Sequence, residues 1–242
     1  MLSRNQIKFI TSLHQKKYRD EHKLFIAEGL KTVTELLDSS LQLYELFTTD
    51  SLNCNAKQTI ISENELKKIS SLKTPNKVLG IFRIPESKPI ETKELIVVLD
   101  DIRDPGNLGT IIRLCDWFGI KDLVCSKTSA DCYNPKVIQS TMGSIARVNI
   151  SYIDLDKFLR TTKRPKFGTF MDGQNVYKIK LPEAGILVMG NEAKGISKEI
   201  ENLVDSKITI PRFGKFQQTE SLNVASATAI FLSEFKRSST EK

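Results

Sequence analysis

Residues 186–197 read Ile186-Leu187-Val188-Met189-Gly190-Asn191-Glu192-Ala193-Lys194-Gly195-Ile196-Ser197. The first four are apolar without alternation, the pattern of a strand covered on both faces, and Gly190 ends the run. Five further β-rich runs flank it, at 96–99, 122–125, 148–152, 167–170 and 208–210, with helical stretches between them. This alternation predicts an α/β fold around a six-stranded parallel sheet. Local punctuation agrees with it. Gly119 fits the end of the first intervening helix, and Asn134-Pro135 is an N-cap and first-turn pair for the second. The last element, Ser221 to Lys236, starts polar and continues through Leu222, Val224, Ala225, Ala227, Ala229, Ile230 and Leu232. It reads as a buried helix whose small residues allow close backbone approach.

The chain has 242 residues, 40% hydrophobic, with a formal net charge of 36 − 29 = +7. That is enough apolar material for a folded core, and the basic excess fits either a polyanionic partner or a solvated surface. No apolar stretch approaches ~18 residues, and the opening MLSRNQIKFITSLHQKKYR lacks a signal-peptide apolar block, so neither a membrane span nor secretion is expected. Four cysteines without a C-x-x-C pair and only two histidines exclude a zinc site and a disulfide framework, which suits a reducing cytoplasm.

Charge is uneven. Residues 1–23 carry Arg4, Lys8, Lys16, Lys17, Arg19 and Lys23 against Asp20 and Glu21. Ile7, Ile10, Leu13 and Tyr18 recur near helical spacing, so the opening is a surface helix whose basic face is either simply solvated or touches RNA. A helix over Glu28–Leu37, a strand over Leu43–Thr48, a helix over Ser62–Ser70 and a strand over Val78–Ile84 complete a small α/β unit. Ile84-Pro85-Glu86-Ser87-Lys88-Pro89 reads as a linker. The expected division is therefore 1–88 and 89–242.

Open parallel sheets bind ligands beyond the carboxyl ends of their strands, and three loops there stand out. The first runs from Asp100 through Pro105-Gly106-Asn107 to Arg113. Asn107 can cap the following helix, and Arg113 projects away from the apolar face formed by Ile111, Leu114 and Phe118, which leaves a plainly solvated arginine as its alternative reading. The second, 189–197, has no Gly-Lys-Ser/Thr and is not a P-loop, and no G-x-G-x-x-G follows any strand. The third, Pro211 to Glu220, enters Glu220-Ser221-Leu222-Asn223, where Ser221 can serve as N-cap.

Asn107-Leu108-Gly109 with Arg113, Gly190-Asn191-Glu192-Ala193-Lys194-Gly195-Ile196, and Ile210-Pro211 followed by Glu220-Ser221-Leu222-Asn223-Val224-Ala225 together resemble the three motifs of the SpoU (TrmH-type) RNA ribose methyltransferases of the SPOUT class. Asp131–Arg147, with Asn134-Pro135-Lys136 and Thr141-Met142-Gly143-Ser144, resembles the family's intervening helix. Phe25-Ile26-Ala27-Glu28-Gly29 resembles a ribosomal-protein-like α/β RNA-binding domain that precedes the catalytic domain in some members. Ala193 stands where glycine is common, an exchange that is costly if the backbone there needs positive φ. Thr141 and Ser144 stand where serine and alanine are usual.

The resemblance implies a carboxy-terminal trefoil knot, a homodimer, and S-adenosylmethionine bound by the backbone around Gly190, Ile210 and Leu222, with Thr169 at the end of the fourth strand. Ordinary packing is the alternative for each of these residues, above all for Ile210 and Leu222. A missing Cβ at Gly190 would let backbone groups approach adenine or ribose. Asn107, Arg113, Glu192, Ser221 and Asn223 are the polar side chains the motifs supply for methyl transfer to a ribose 2′-hydroxyl. A guanidinium stays protonated, so Arg113 is read as a phosphate clamp and oxyanion stabiliser rather than a base. Asn107 would orient the ribose or Arg113. Glu192 is the proton acceptor or an arginine orienter, or else satisfies backbone donors at a helix start. The two-domain layout favours ribosomal over transfer RNA, and a noncatalytic RNA-binding or assembly protein on the same fold is the alternative from another class.

Overall fold

The computed structural model describes residues 1–90, 93–214 and 221–237. They fall into two units, Met1–Glu86 with Asp131–Ala146, and Ser87–Ala130 with Arg147–Lys242. In the first, α1 (Arg4–Ser12) opens on a capping box: the Ser3 hydroxyl accepts from Gln6 N, and the Gln6 side chain accepts from Ser3 N. The opening is two helices rather than one, the second being α2 (Lys16–His22). Arg19 explains the break. It is 2% exposed and donates from Nη1 to the carbonyls of Leu13 (2.9 Å) and His14 (2.8 Å), satisfying acceptors that a continuous helix would use. Tyr18 consequently leaves the apolar stripe of Ile7, Ile10 and Leu13.

Next comes β1 (Leu24–Glu28), buried throughout, so the helix expected from Glu28 starts two residues later as α3 (Leu30–Leu37). Gly29, at φ 89°, makes the turn between them. Then follow β2 (Leu43–Thr48), the short β3 (Thr59–Ile60), which carries too little pattern to read from sequence, α4 (Glu63–Ile69) and β4 (Val78–Arg83). The sheet order is β1-β4-β2-β3, with β4 antiparallel to both neighbours. Ile10, Leu13, Ile26, Phe47, Leu66 and Ile81 belong to its core.

The second unit contains β5 (Leu95–Leu99), α5 (Pro105–Trp117) and β6 (Asp122–Ser126). The following helix, α6 (Pro135–Thr141), capped by Asn134 with Pro135 in its first turn, groups with the first unit. Residues 131–146 thus depart from the expected division at 88/89. Asp131 pairs with Arg19 Nη2 at 2.5 Å, and the Tyr133 ring lies 4.9 Å from Phe25, which attaches this stretch to α2 and β1. Back in the second unit are β7 (Asn149–Ile153), α7 (Leu155–Thr161), β8 (Lys166–Asn175), β9 (Gly185–Met189), α8 (Lys198–Glu201), β10 (Ser206–Thr209) and α9 (Val224–Arg237).

These six strands form one sheet in the order β10-β8-β9-β5-β6-β7, parallel throughout. Every residue of β5 and β9 is buried, as double-sided cover requires. From β5 the chain builds outward through β6 and β7, then returns to the other side through β8 and β9. The strand order therefore reverses between β5 and β9, and the crevice beyond their carboxyl ends is the switch point where such sheets bind ligands.

Candidate active site at the β5–β9 switch point

The loops leaving β5 and β9 are tied to each other by backbone and side chain. Asp100 N donates to Met189 O (2.9 Å), and the Asp100 carboxylate accepts from Ser197 N (2.7 Å). Asn191 Nδ2 donates to Asp101 O (2.7 Å), while Asn191 Oδ1 accepts from the amides of Ala193 (3.0 Å) and Lys194 (3.1 Å). Asn191 therefore braces the second loop, a role that the motif alone does not assign; its Asx-turn spacing is the available signal. Asp101 sits at φ 60° and pairs with Arg103 (2.9 Å). Burial pushes its carboxyl up, but hydrogen bonds from Arg103 and Thr128 and the charges of Arg103 and Lys194 outweigh this and hold it below its ordinary value.

Gly190 has a reason in addition to the one expected. A Cβ there would meet Ile196 N at 2.2 Å and Gly195 C at 2.3 Å, the backbone of its own loop, which closes by paired bonds between Asn191 and Gly195. The missing side chain serves loop closure before any ligand arrives. Ala193 is not among the residues at positive φ, whereas Gly195 is, at 71°, so an alanine at 193 carries no left-handed backbone cost.

Two caps also differ from expectation. Asp104, not Asn107, caps α5, accepting from Asn107 N (2.8 Å), and Asn223, not Ser221, caps α9, accepting from Ala225 N (3.0 Å) and Ser226 N (3.2 Å). The first frees the Asn107 side chain and the second fixes the orientation of Asn223, and the two join in one chain of contacts. With its oxygen held by the α9 amides, Asn223 turns its Nδ2 to Asn107 Oδ1 (2.9 Å), and Asn107 Nδ2 then donates to Glu192 Oε1 (2.9 Å). Each amide is oriented by its neighbour, so the start of α9, α5 and the β9 loop are joined in a polarised line ending at a carboxylate.

Arg113 is exposed on α5 and makes no hydrogen bond or ion pair among the described residues, and the same holds for Ser221; both stay outside that line. Glu220 lies outside the described residues. Thr169 is within β8 rather than at its end, donating to Val188 O (3.1 Å). Ladder pairing of β8 to β10 jumps from Gly168 to Gln174, so Thr169 opens the irregular stretch. Ile210 is half-buried, whereas Leu222 is 51% exposed and Phe213 83%. Exposed apolar side chains are surfaces on which the flat heterocycle of an adenosine packs, so Ile210, Leu222 and Phe213 are compatible with S-adenosylmethionine. No helix among the described residues is long and apolar enough to cross a membrane.

Residues 94–233 match the model of the SpoU rRNA Methylase family, and residues 4–80 match the MRM3-like substrate binding domain. The chain is similar to the 23S rRNA (guanosine(2553)-2′-O)-methyltransferase RlmP of Bacillus subtilis (strain 168), 31% identical and covering 95% of this chain and 96% of that protein. It superposes with a TM-score of 0.89 on a TrmH-family structure from Porphyromonas gingivalis, 39% identical over 98% of this chain and 99% of that one. It also superposes, at 0.86, on an AdoMet-bound rRNA methyltransferase from Sinorhizobium meliloti, 30% identical over 98% and 96%. Three motifs meeting at a switch point, a family match over most of the second unit and full-length likeness to methyltransferases lead to one conclusion: the chain belongs to the SpoU rRNA methylase family and is an S-adenosylmethionine-dependent RNA 2′-O-methyltransferase.

Proposed function

We propose that Asn107, Arg113, Glu192, Ser221 and Asn223 carry methylation of a ribose 2′-hydroxyl in ribosomal RNA, and that Gly190, Ile210, Leu222 and Thr169 hold S-adenosylmethionine. The observation that carries the roles is the Asn223–Asn107–Glu192 line. When bound, the cofactor supplies an electrophilic methyl group. The chain's own residues must place the hydroxyl, take its proton and balance the charge that develops on its oxygen. Glu192 has Oε1 held by Asn107, which leaves Oε2 to accept the hydroxyl proton. Arg113, which pairs with no carboxylate among the described residues, is available to a phosphate of the target strand and to the developing oxyanion. Ser221 adds a hydroxyl without a hydrogen-bond partner among the described residues.

Ribosomal over transfer RNA is supported by likeness along the whole two-unit chain to the Bacillus subtilis enzyme. The homodimer is carried by the family resemblance, and light scattering should report twice 27.3 kDa. The four cysteines form no disulfide, in keeping with work in the cytoplasm.

The test is transfer of labelled methyl from S-adenosylmethionine to bulk RNA, with digestion to 2′-O-methyl nucleosides and mapping of the nucleotide. Arg113→Ala should lose on the order of 100-fold or more in turnover while its cofactor affinity, measured by calorimetry, stays unchanged. Normal turnover in that variant would return Arg113 to the solvated surface.

A further inference from the structure

Within the first unit, α1 and α2 flank a groove of about 310 Å³ lined by Asn5, Lys8, Phe9, Ser12, Tyr18 and His22. Three aromatic rings on one short surface are unusual for a solvated helix pair, and the break at Arg19 is what brings Tyr18 there instead of leaving it on the apolar stripe. Phe9 meets His22 edge-on at 5.2 Å and Tyr44 at 6.4 Å, which stiffens the floor. Cations accompany the rings. Lys17 Nζ lies 5.7 Å from the Tyr18 ring centre and Arg83 Cζ 5.4 Å from that of Tyr44. Arg4, Lys8, Lys16, Lys17 and Lys23 are all exposed, against the exposed Asp20 and Glu21.

Rings and cations do different jobs in nucleic-acid recognition. Stacking on an aromatic face takes any base that is out of its helix, and lysine or arginine beside the ring meets the flanking phosphates. The groove's volume is at the small end of ligand sites, which run from about 300 to 1,000 Å³, so it has room for a base or a single nucleotide. A protein partner would be expected on an apolar patch, but here the apolar side of Phe9 is turned into the core and the rim is charged.

We infer that the α1–α2 groove binds one unpaired base of the RNA substrate, stacked against Tyr18 and Phe9, with Lys8 and Lys17 on the adjacent phosphates. This rests on the RNA methyltransferase reading and adds to it a specific contact point, remote in sequence from the three methyltransfer motifs.

The experiment uses the full chain and two probes of equal length, a single-stranded RNA and its perfect duplex, the single strand carrying 4-thiouridine for photocrosslinking. Tyr18→Ala should weaken single-strand binding roughly tenfold or more and duplex binding little, and Tyr18→Phe should restore most of it because the ring, not the hydroxyl, does the stacking. Lys8→Ala should lower the slope of log affinity against log salt by about one. Crosslinks should map to Tyr18, Phe9 or His22. Because Tyr18 is half-buried, His22→Ala at the exposed rim serves as a second variant, and unaltered S-adenosylmethionine affinity checks that each variant is folded. Single-strand binding equal to the unmodified chain in both Tyr18→Ala and His22→Ala, or crosslinks only elsewhere, would overturn the groove. If the unmodified chain binds the probes through the groove yet methylates no RNA, the methyltransfer reading fails and the groove stands; normal methylation with indifferent variants fails the groove alone.

Discussion

Asn107→Asp tests whether the line from α9 to Glu192 exists in solution. The substitution keeps the shape of the side chain and its acceptor for Asn223, but it replaces the donor facing Glu192 by a second carboxylate oxygen at a contact now 2.9 Å long. Two like charges 4 Å apart repel by about 1 kcal/mol in bulk water and about 4 kcal/mol at an effective dielectric constant of about 20. Glu192 is exposed and Asn107 half-buried, so about 2 kcal/mol is the appropriate scale, and the lost charge-assisted hydrogen bond adds about 1 kcal/mol. Glu192 then swings away from α5, and if its placement governs the reaction, about 3 kcal/mol corresponds to roughly a hundredfold loss in kcat/KM. Asn107→Ala removes the bonds without adding repulsion and should lose only about tenfold. Methyl transfer to RNA at saturating cofactor gives the ranking, unmodified above Ala above Asp. A companion double-mutant cycle of Asn107→Asp with Glu192→Gln, read by urea unfolding, should show that the second change relieves the first. An Asn107→Asp variant as active as Asn107→Ala, or more so, would refute the contact.

Gly190→Ala places a Cβ against the backbone of Gly195 and Ile196, so the β9 loop must open; calorimetry should show loss of S-adenosylmethionine binding and melting should show about 1–3 kcal/mol of destabilisation. Gly195→Ala finds open space and carries only the left-handed backbone cost, about 1–2 kcal/mol, so it should be the milder variant; the reverse order would mean the loop closes differently. Acid should weaken the first unit in two stages, followed by melting temperature against pH. The His14 ring is held below its ordinary value by burial, against the raising effects of Glu28 and the Ile69 backbone, so its contribution is present above 6.5 and is lost as pH falls below that. Glu65 is held at about 2 by the amides of Ser62 and Leu2, so its contribution is present above 4.5 and fades as pH falls from 4.5 toward 2; Glu65→Gln should flatten that second stage only.

Sequence by itself determined the parallel sheet, because runs such as Ile186–Met189 and Ile96–Leu99 are apolar on both faces and only a doubly covered strand tolerates that. It also determined which loops matter, since motif residues recur at strand ends whatever their neighbours do. Tertiary structure decided what each side chain is for. Asn107 and Ser221 look like caps by local rule, yet Asp104 and Asn223 take the amides, because the competition between nearby acceptors is settled by loop geometry that no window of sequence contains. Contact between residues 107, 192 and 223 is likewise set by the reversal of strand order at β5 and β9, a long-range event. The split of the opening helix has the same origin. Arg19 finds its carboxylate at Asp131, 112 positions away, and the helix yields its carbonyls to that buried guanidinium because leaving a charge unpaired in the core costs more than breaking one turn.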